Sequence, residues 1–203
     1  MAKASAELPL SCQCGIVGAR VLDAEPRSGD HIVCYCHDCR DFVRLLHKED
    51  HILDRLGGTA LFNFRFSRFA LDRGADSLAC LHMTDKPVLR WYAECCGTPM
   101  FNSYANARIP FFDVILANST DRNAREALGD SVGNLFTTSA TGDASHLAAM
   151  SLSGLVLKVA PRVIRETLNG GRRRNPLFDA DTLEPIARPR RLTASERSML
   201  GRE

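Results

Sequence analysis

The cysteines are the feature of this sequence that most constrains how the chain can fold. Seven of the eight fall into three short clusters, and the eighth, Cys80, stands alone in an apolar stretch. A buried free cysteine behaves as a small hydrophobe, a role that alanine or valine could fill, so packing alone does not account for the clustering. Clustered cysteines in a reducing compartment are more often metal ligands or redox groups.

The middle cluster has the most informative spacing. Residues 31–42 place a CxCxxC motif between a β-branched run and an apolar-periodic run, which predicts a strand, a tight turn and a helix in that order. We expect Asp38 or Asp41 to cap the helix. Thiolates at this spacing can converge on one ion at the metal–sulfur distance of about 2.3 Å expected for zinc. We call these residues the three-cysteine group: Cys34, Cys36 and Cys39.

The remaining clustered sulfurs form a natural set of four. This four-cysteine group would join an early strand to a later one, as a structural zinc does. The three-cysteine group would then keep one coordination position open, and an open zinc site lowers the pKa of a bound water or thiol. Alternatively, Cys95 completes and closes the three-cysteine site, which would make both ions structural. Two Zn²⁺ ions per chain are expected. The members of the four-cysteine group are Cys12, Cys14, Cys95 and Cys96.

The hydrophobic pattern predicts mainly short strands in the first half of the chain and a partly helical second half. An apolar stripe within residues 144–168 predicts a helix that Pro161 should kink or split. The expected organisation has three regions. These are a cysteine-bearing module over 8–102, a partly helical extension that packs on it over 103–171, and a basic, proline-containing tail over 172–203.

Composition and charge argue against two classes of partner. The formal net charge is +2, so there is no strong electrostatic case for nucleic acid or a membrane surface, and the arginines of the tail are interpreted as solvated. No apolar run reaches a membrane-spanning length, and the N-terminus carries no signal-peptide core. A cytoplasmic protein is therefore expected.

The order of the motifs resembles the glutathione-dependent formaldehyde-activating enzyme family. The shared features are a CxCG at Cys12, the CxCxxC ahead of a helix, and the segment RWYAECCGTPMF over 90–101, so the resemblance covers about residues 8–102. It implies an Mss4-like fold of small, strongly curved sheets with two zinc ions, of which the three-cysteine group holds the catalytic one. It also implies a carbon–sulfur lyase reaction run in reverse, in which a glutathione thiol attacks formaldehyde to give S-hydroxymethylglutathione.

One motif departs from the pattern of that family. Where the family has CxxCG, this chain has Ala93 in place of the first cysteine and an additional cysteine at Cys95. The CCGTP variant and the long extension resemble a separate branch of the family. Two functions therefore stay open: a thiol-activating zinc enzyme, and a non-catalytic zinc-stabilised scaffold that binds another protein through the apolar stripe of the extension. A nucleic-acid-binding role rests only on the cysteines and the arginines.

Overall fold

The computed structural model describes residues 6–201, which form two β-sheets and five helices. The smaller sheet is antiparallel, in the order β1-β2-β5. The larger sheet has the order β11-β10-β3-β4-β9-β8-β7-β6-β12. The strands are β1 (Leu8–Ser11), β2 (Gly18–Val21), β3 (Gly29–Cys34), β4 (Thr59–Phe64), β5 (Phe69–Arg73), β6 (Leu78–His82), β7 (Val88–Ala93), β8 (Thr98–Tyr104), β9 (Phe112–Ile115), β10 (Asn134–Leu135), β11 (Ala149–Met150) and β12 (Arg190–Arg191). The prediction of a mainly β fold with some helices is confirmed.

Four of the five α-helices in the described part of the chain begin where a side chain accepts a hydrogen bond from one of their first backbone N–H groups; the second helix has no such cap. They are α1 (His37–Leu45), α2 (Glu49–Ile52), α3 (Arg122–Glu126), α4 (Leu152–Leu168) and α5 (Ala194–Met199). The predicted Asp cap of α1 is wrong, because the Cys36 sulfur itself accepts the hydrogen bond from the Cys39 N–H. Thr193 and Glu196 form a capping box at the start of α5, a pairing that their spacing of three residues favours.

The sequence predicts that Pro161 kinks or splits this helix; α4 runs through Pro161 as one element, so it is not split. A proline leaves the carbonyl four residues earlier without its helical partner. Here that residue is Leu157, which lies on the exposed side of the helix, whereas Leu155 and Val159 face the protein core. The helix therefore continues on its buried side, where packing holds it.

The large sheet separates two hydrophobic cores. One face packs against the smaller sheet around Trp91, Phe101 and Phe112, which are fully buried. The other face is covered by α1 and α4 and contains apolar residues such as Ile32 and Leu61. Alternation along the strands sends successive side chains to opposite faces, so each central strand contributes to both cores.

The predicted boundary after residue 102 falls inside β8. The next strand, β9, lies between β4 and β8 in the large sheet, so residues on both sides of the boundary share one sheet. The basic tail contributes β12, which pairs in parallel with β6; its last two residues lie outside the part of the chain that is described. Within residues 6–201, no helix combines the length and the apolar character needed to cross a bilayer.

Candidate metal centres and an adjoining cavity

The four-cysteine group joins turns that belong to different sheets. Cys12 and Cys14 lie in the turn between β1 and β2, and Cys95 and Cys96 lie in the turn between β7 and β8. All four sulfurs lie within 4.8 Å of one another. The Cys14 and Cys95 sulfurs are 3.3 Å apart and belong to residues 81 positions apart in the chain. A metal ion at this point would link the two sheets.

A backbone N–H and a side-chain hydroxyl lie within hydrogen-bond distance of two of these sulfurs. The Val17 N–H donates to the Cys12 sulfur at 3.2 Å, and the Thr98 hydroxyl lies 3.1 Å from the Cys96 sulfur. Burial acts to raise the pKa of Cys96, but the hydrogen bond with Thr98 and contacts with Cys14 lower it to about 6. Donors of this kind stabilise the thiolate, which is the form that binds a metal.

The three-cysteine group is local to one strand-to-helix turn. Cys34 ends β3, Cys36 caps α1, and Cys39 lies in the first turn of that helix. The three sulfurs lie within 4.8 Å of one another, and among residues 6–201 no fourth cysteine, histidine or carboxylate joins them. Cys34 and Cys39 are buried and Cys36 is half-buried. The group can therefore offer three protein ligands and one free position.

The charge of the three-cysteine group is concentrated on one sulfur. Hydrogen bonds from the thiols of Cys34 and Cys39 lower the pKa of Cys36. The hydrogen bond with Cys36 raises the pKa of Cys34. Hydrogen bonds with Cys34 and Cys36 raise the pKa of Cys39. One thiolate is thus stabilised by two neutral thiols, and a divalent cation would supply the charge that lets all three ionise.

A cavity of about 630 Å³ adjoins the three-cysteine group. One of its walls is the inner side of α4, and strands β3 and β4 add Ile32 and Leu61. Most of the lining side chains are aliphatic or aromatic. The residues that α4 contributes are Leu152, Leu155, Val156, Val159, Ala160 and Val163.

Three buried polar residues form the floor of the cavity, and we call them the polar floor: Arg90, Asn102 and Asp113. They are cross-strand partners on β7, β8 and β9. Arg90 Nη1 donates to Asn102 Oδ1 at 2.7 Å, and Asn102 Nδ2 donates to Asp113 Oδ1 at 2.6 Å. Burial raises the pKa of Asp113 to about 7, although Asn102 and Arg90 oppose the shift. The floor therefore contains a carboxyl group that can hold a proton near neutral pH.

The polar row continues beyond the floor to α4. Asn63 on β4 lies opposite Asp113, and Asp30 on β3 lies opposite Asn63. Arg162 of α4 pairs with Asp30 and donates to Asn63 Oδ1 at 3.0 Å. Lys158 Nζ lies 3.7 Å from Asp30 Oδ1. The row thus ends in the ion pairs that attach α4 to the sheet.

The predicted division of seven sulfurs into four and three is confirmed. Cys95 lies against Cys14, so the alternative in which it closes the three-cysteine site is wrong. Cys80, which stands alone in an apolar stretch of the sequence, is a buried thiol of the core.

Sequence reasoning missed the polar floor. The available signal was a single polar residue inside an apolar strand, as in Leu89-Arg90-Trp91 and Phe112-Asp113-Val114. Such a residue points away from its apolar neighbours, but the sequence does not show what lies there.

Comparisons with known proteins identify a family and do not describe an activity. No curated protein matches the chain. Among solved structures, a Rhodobacter sphaeroides protein determined in a structural genomics programme is 22% identical over 61% of this chain and 97% of its own, with a TM-score of 0.42. That score is too low to support an assignment of fold. A family model, Family of unknown function (DUF6151), matches residues 4–188, and the chain therefore belongs to the DUF6151 family.

Proposed function

We propose that this protein is a zinc-dependent enzyme of the carbon–sulfur lyase type, which activates a small thiol such as glutathione for adduct formation with an aldehyde. The observation that carries the proposal is the three-cysteine group, which has no fourth protein ligand among residues 6–201 and opens on a cavity with a polar floor. A purely structural site would have no need of either feature.

The two sulfur groups fit zinc by geometry and by ligand type. A tetrahedral zinc with bonds of about 2.3 Å places its sulfur ligands roughly 3.8 Å apart. Within the four-cysteine group, sulfur–sulfur distances are 3.5 Å for Cys12 and Cys14, 3.3 Å for Cys14 and Cys95, and 3.9 Å for Cys95 and Cys96. Thiolates prefer soft or borderline ions over magnesium and calcium. The pairing of one complete and one open site supports the resemblance to Mss4-like zinc proteins.

The proposed reaction adds a thiol to a carbonyl group. The sulfur attacks the carbonyl carbon, a carbon–sulfur bond forms as the carbon–oxygen π bond opens, and the thiol proton ends on the oxygen. A bound zinc would keep a coordinated substrate thiol ionised at neutral pH.

The polar floor supplies the remaining groups. Asp113 can hold the transferred proton, because its pKa lies near neutrality. Arg90 is oriented by Asn102. Burial acts to lower the pKa of its guanidinium, but negative charge on the three-cysteine group raises this pKa. The positive charge of the guanidinium therefore helps to offset the negative charge of the three-cysteine group.

The test combines metal analysis with a rate measurement. We expect two zinc ions per chain and accelerated formation of a thiol–aldehyde adduct. Cys36→Ser should lower the zinc content to one and abolish the acceleration. The matched control is Cys80→Ser, because Cys80 lies on β6 and belongs to neither group; it should retain both ions and the activity. Two zinc ions without acceleration of any thiol and aldehyde pair would reject the enzymatic proposal.

One observation favours the scaffold function as a second candidate. The outer side of α4 exposes Leu157 at 76% and Leu168 at 78%, with Ile164 between them. These residues lie on one side of the helix, at spacings of seven and four. The test is a variant in which all three residues are replaced by serine. If α4 binds a partner, this variant should keep its zinc content and lose association. Unchanged self-association and partner binding would reject the scaffold function.

A further inference from the structure

We infer that the cavity beside the three-cysteine group is a binding site for an uncharged carbonyl compound with an apolar chain or ring. On this view the aldehyde substrate is a medium-sized hydrophobic molecule, and formaldehyde is a poor one. The inference takes the identity of the reacting groups from the proposed function. The size and polarity of the substrate come from the cavity itself.

The cavity is too large for a one-carbon substrate. Its volume of about 630 Å³ lies within the range of roughly 300–1,000 Å³ that is typical of sites for drug-sized ligands. A water molecule takes up about 30 Å³ of liquid, and formaldehyde is of similar size. A formaldehyde molecule would leave most of the cavity to water in contact with apolar walls, which is unfavourable.

The charged residues of the cavity already have partners. Lys86 Nζ lies 3.3 Å from Asp38 Oδ2, and the positive charge of Arg90 faces the three-cysteine group. The positive charge of each described cation that lines the cavity is therefore already balanced by a neighbouring negative charge, so a substrate carboxylate would bring an unbalanced one. This favours an uncharged occupant and makes the cavity a poor fit for the body of glutathione, which carries two carboxylates.

The structure also explains why α4 does not collapse onto the floor. Closing the gap would press the apolar side chains of α4 against the donors of the Arg90 guanidinium that are not given to Asn102, and sealing off such donors without an acceptor is costly. The second half of α4 is attached through ion pairs of Arg162 with Asp30 and of Glu166 with Arg65. The second half of the helix is thus held to the sheet, while the cavity lies beneath residues of α4 that begin at Leu152.

A molecule with one polar head and an apolar body would satisfy both surfaces. Its carbonyl oxygen can accept a hydrogen bond from the protonated Asp113 or from Arg90, whose guanidinium has donors besides the one given to Asn102. Its chain would cover the apolar wall. At the first half of α4, Leu152 and Val156 are 57% and 53% exposed although they line the cavity, and we expect the ligand to bury them further.

The experiment measures binding independently of the reaction. Straight-chain primary amides from acetamide to octanamide are unreactive mimics of the aldehydes, and their affinity is measured by titration calorimetry with the zinc-loaded full-length protein. We expect about a three- to fourfold gain in affinity for each methylene that enters the cavity. In parallel, adduct formation with a fixed thiol is measured for formaldehyde, butanal and octanal, and kcat/KM should rise along this series.

Two adjacent positions of α4 provide a matched pair of variants. Val156→Trp places an indole into the cavity, whereas Leu157→Trp places one on the outer side of the same helix turn. Val156→Trp should weaken octanamide binding at least tenfold, and Leu157→Trp less than twofold, with unchanged thermal stability in both. Equal losses in the two variants would overturn the location of the site.

The outcomes separate this inference from the proposed function. Amide affinities that do not depend on chain length would overturn the inference, and the proposed function would still stand if formaldehyde adduct formation is accelerated. Chain-length-dependent binding that Val156→Trp abolishes supports the site even if no aldehyde reacts, in which case only the proposed function fails. Tighter binding of octanoate than of octanamide would overturn the uncharged head group.

Discussion

Asp113 shows how the position of a residue sets its charge. Its carboxyl is buried in the polar floor and accepts a hydrogen bond from Asn102. Burial penalises the ionised form, so the pKa rises to about 7. The folded protein therefore keeps this proton at pH values where the unfolded chain, with an ordinary pKa of 3.8, has lost it.

This difference predicts a pH-dependent effect of Asp113→Asn. Between about pH 4 and pH 7 the folded state binds more protons than the unfolded state, so the contribution of Asp113 to stability falls as the pH rises. Asparagine keeps the acceptor for Asn102 and does not titrate. Relative to the parent, the variant should gain about 2 kcal/mol of unfolding free energy between pH 5 and pH 8. Urea unfolding of both proteins at the two pH values measures this, and an equal difference at both would contradict it.

Helix α4 illustrates how one element can serve both the fold and the cavity. Its inner side lines the cavity, its outer side is exposed, and a buried carboxylate near its end holds it to the sheet. Glu166 is fully buried and accepts hydrogen bonds from Arg65 Nε at 3.0 Å and from the Ser67 N–H at 2.8 Å. The sequence predicted the helix from its periodicity, but the role of Glu166 depends on partners about a hundred residues away.

We therefore expect Glu166→Ala to be strongly destabilising. The substitution leaves the Arg65 guanidinium and the Ser67 N–H without their acceptor in a buried site, which costs about 3–5 kcal/mol. The matched control is Glu126→Ala on α3, because Glu126 pairs with Arg122 on an exposed surface and should contribute about 0.5 kcal/mol or less. Chemical denaturation measures both. Losses of similar size would show that the buried pair does not anchor α4.

On the scale of the whole molecule, the two sulfur groups have different structural consequences. The four-cysteine group connects the smaller sheet to the larger one across 81 residues between Cys14 and Cys95. The three-cysteine group spans six consecutive residues of one turn. A cross-link over a long loop restricts the unfolded chain more than a local one does. A metal in the first group should therefore contribute more to stability.

This contrast predicts the result of removing one ligand from each group. Cys14→Ser and Cys36→Ser should each reduce the bound metal by one ion per chain. Cys14→Ser should lower the melting temperature by roughly 5–10 °C more, since it removes the link between the sheets and a difference of 1 kcal/mol corresponds to about 2–4 °C for a chain of this size. Metal analysis with calorimetry checks both quantities. Equal melting temperatures would mean that the sheets hold together without the metal.

The local features of this protein were determined by its sequence alone. The CxCxxC turn, the strand alternation and the capping box at Thr193 follow from interactions between residues a few positions apart, and such interactions can be read from spacing. The number and clustering of the sulfurs also limited their division to two arrangements, which differ in whether Cys95 belongs to the four-cysteine or the three-cysteine group.

Only the tertiary structure decided how the distant parts meet. Arg90, Asn102 and Asp113 form one floor because three strands pair in a particular register, and a shift of one residue would turn each side chain to the other face. The placement of Cys95 with Cys14, and of α4 over the cavity, likewise depends on contacts between residues far apart in the chain. Spacing in the sequence carries no information about such contacts, since they arise from the packing of whole elements.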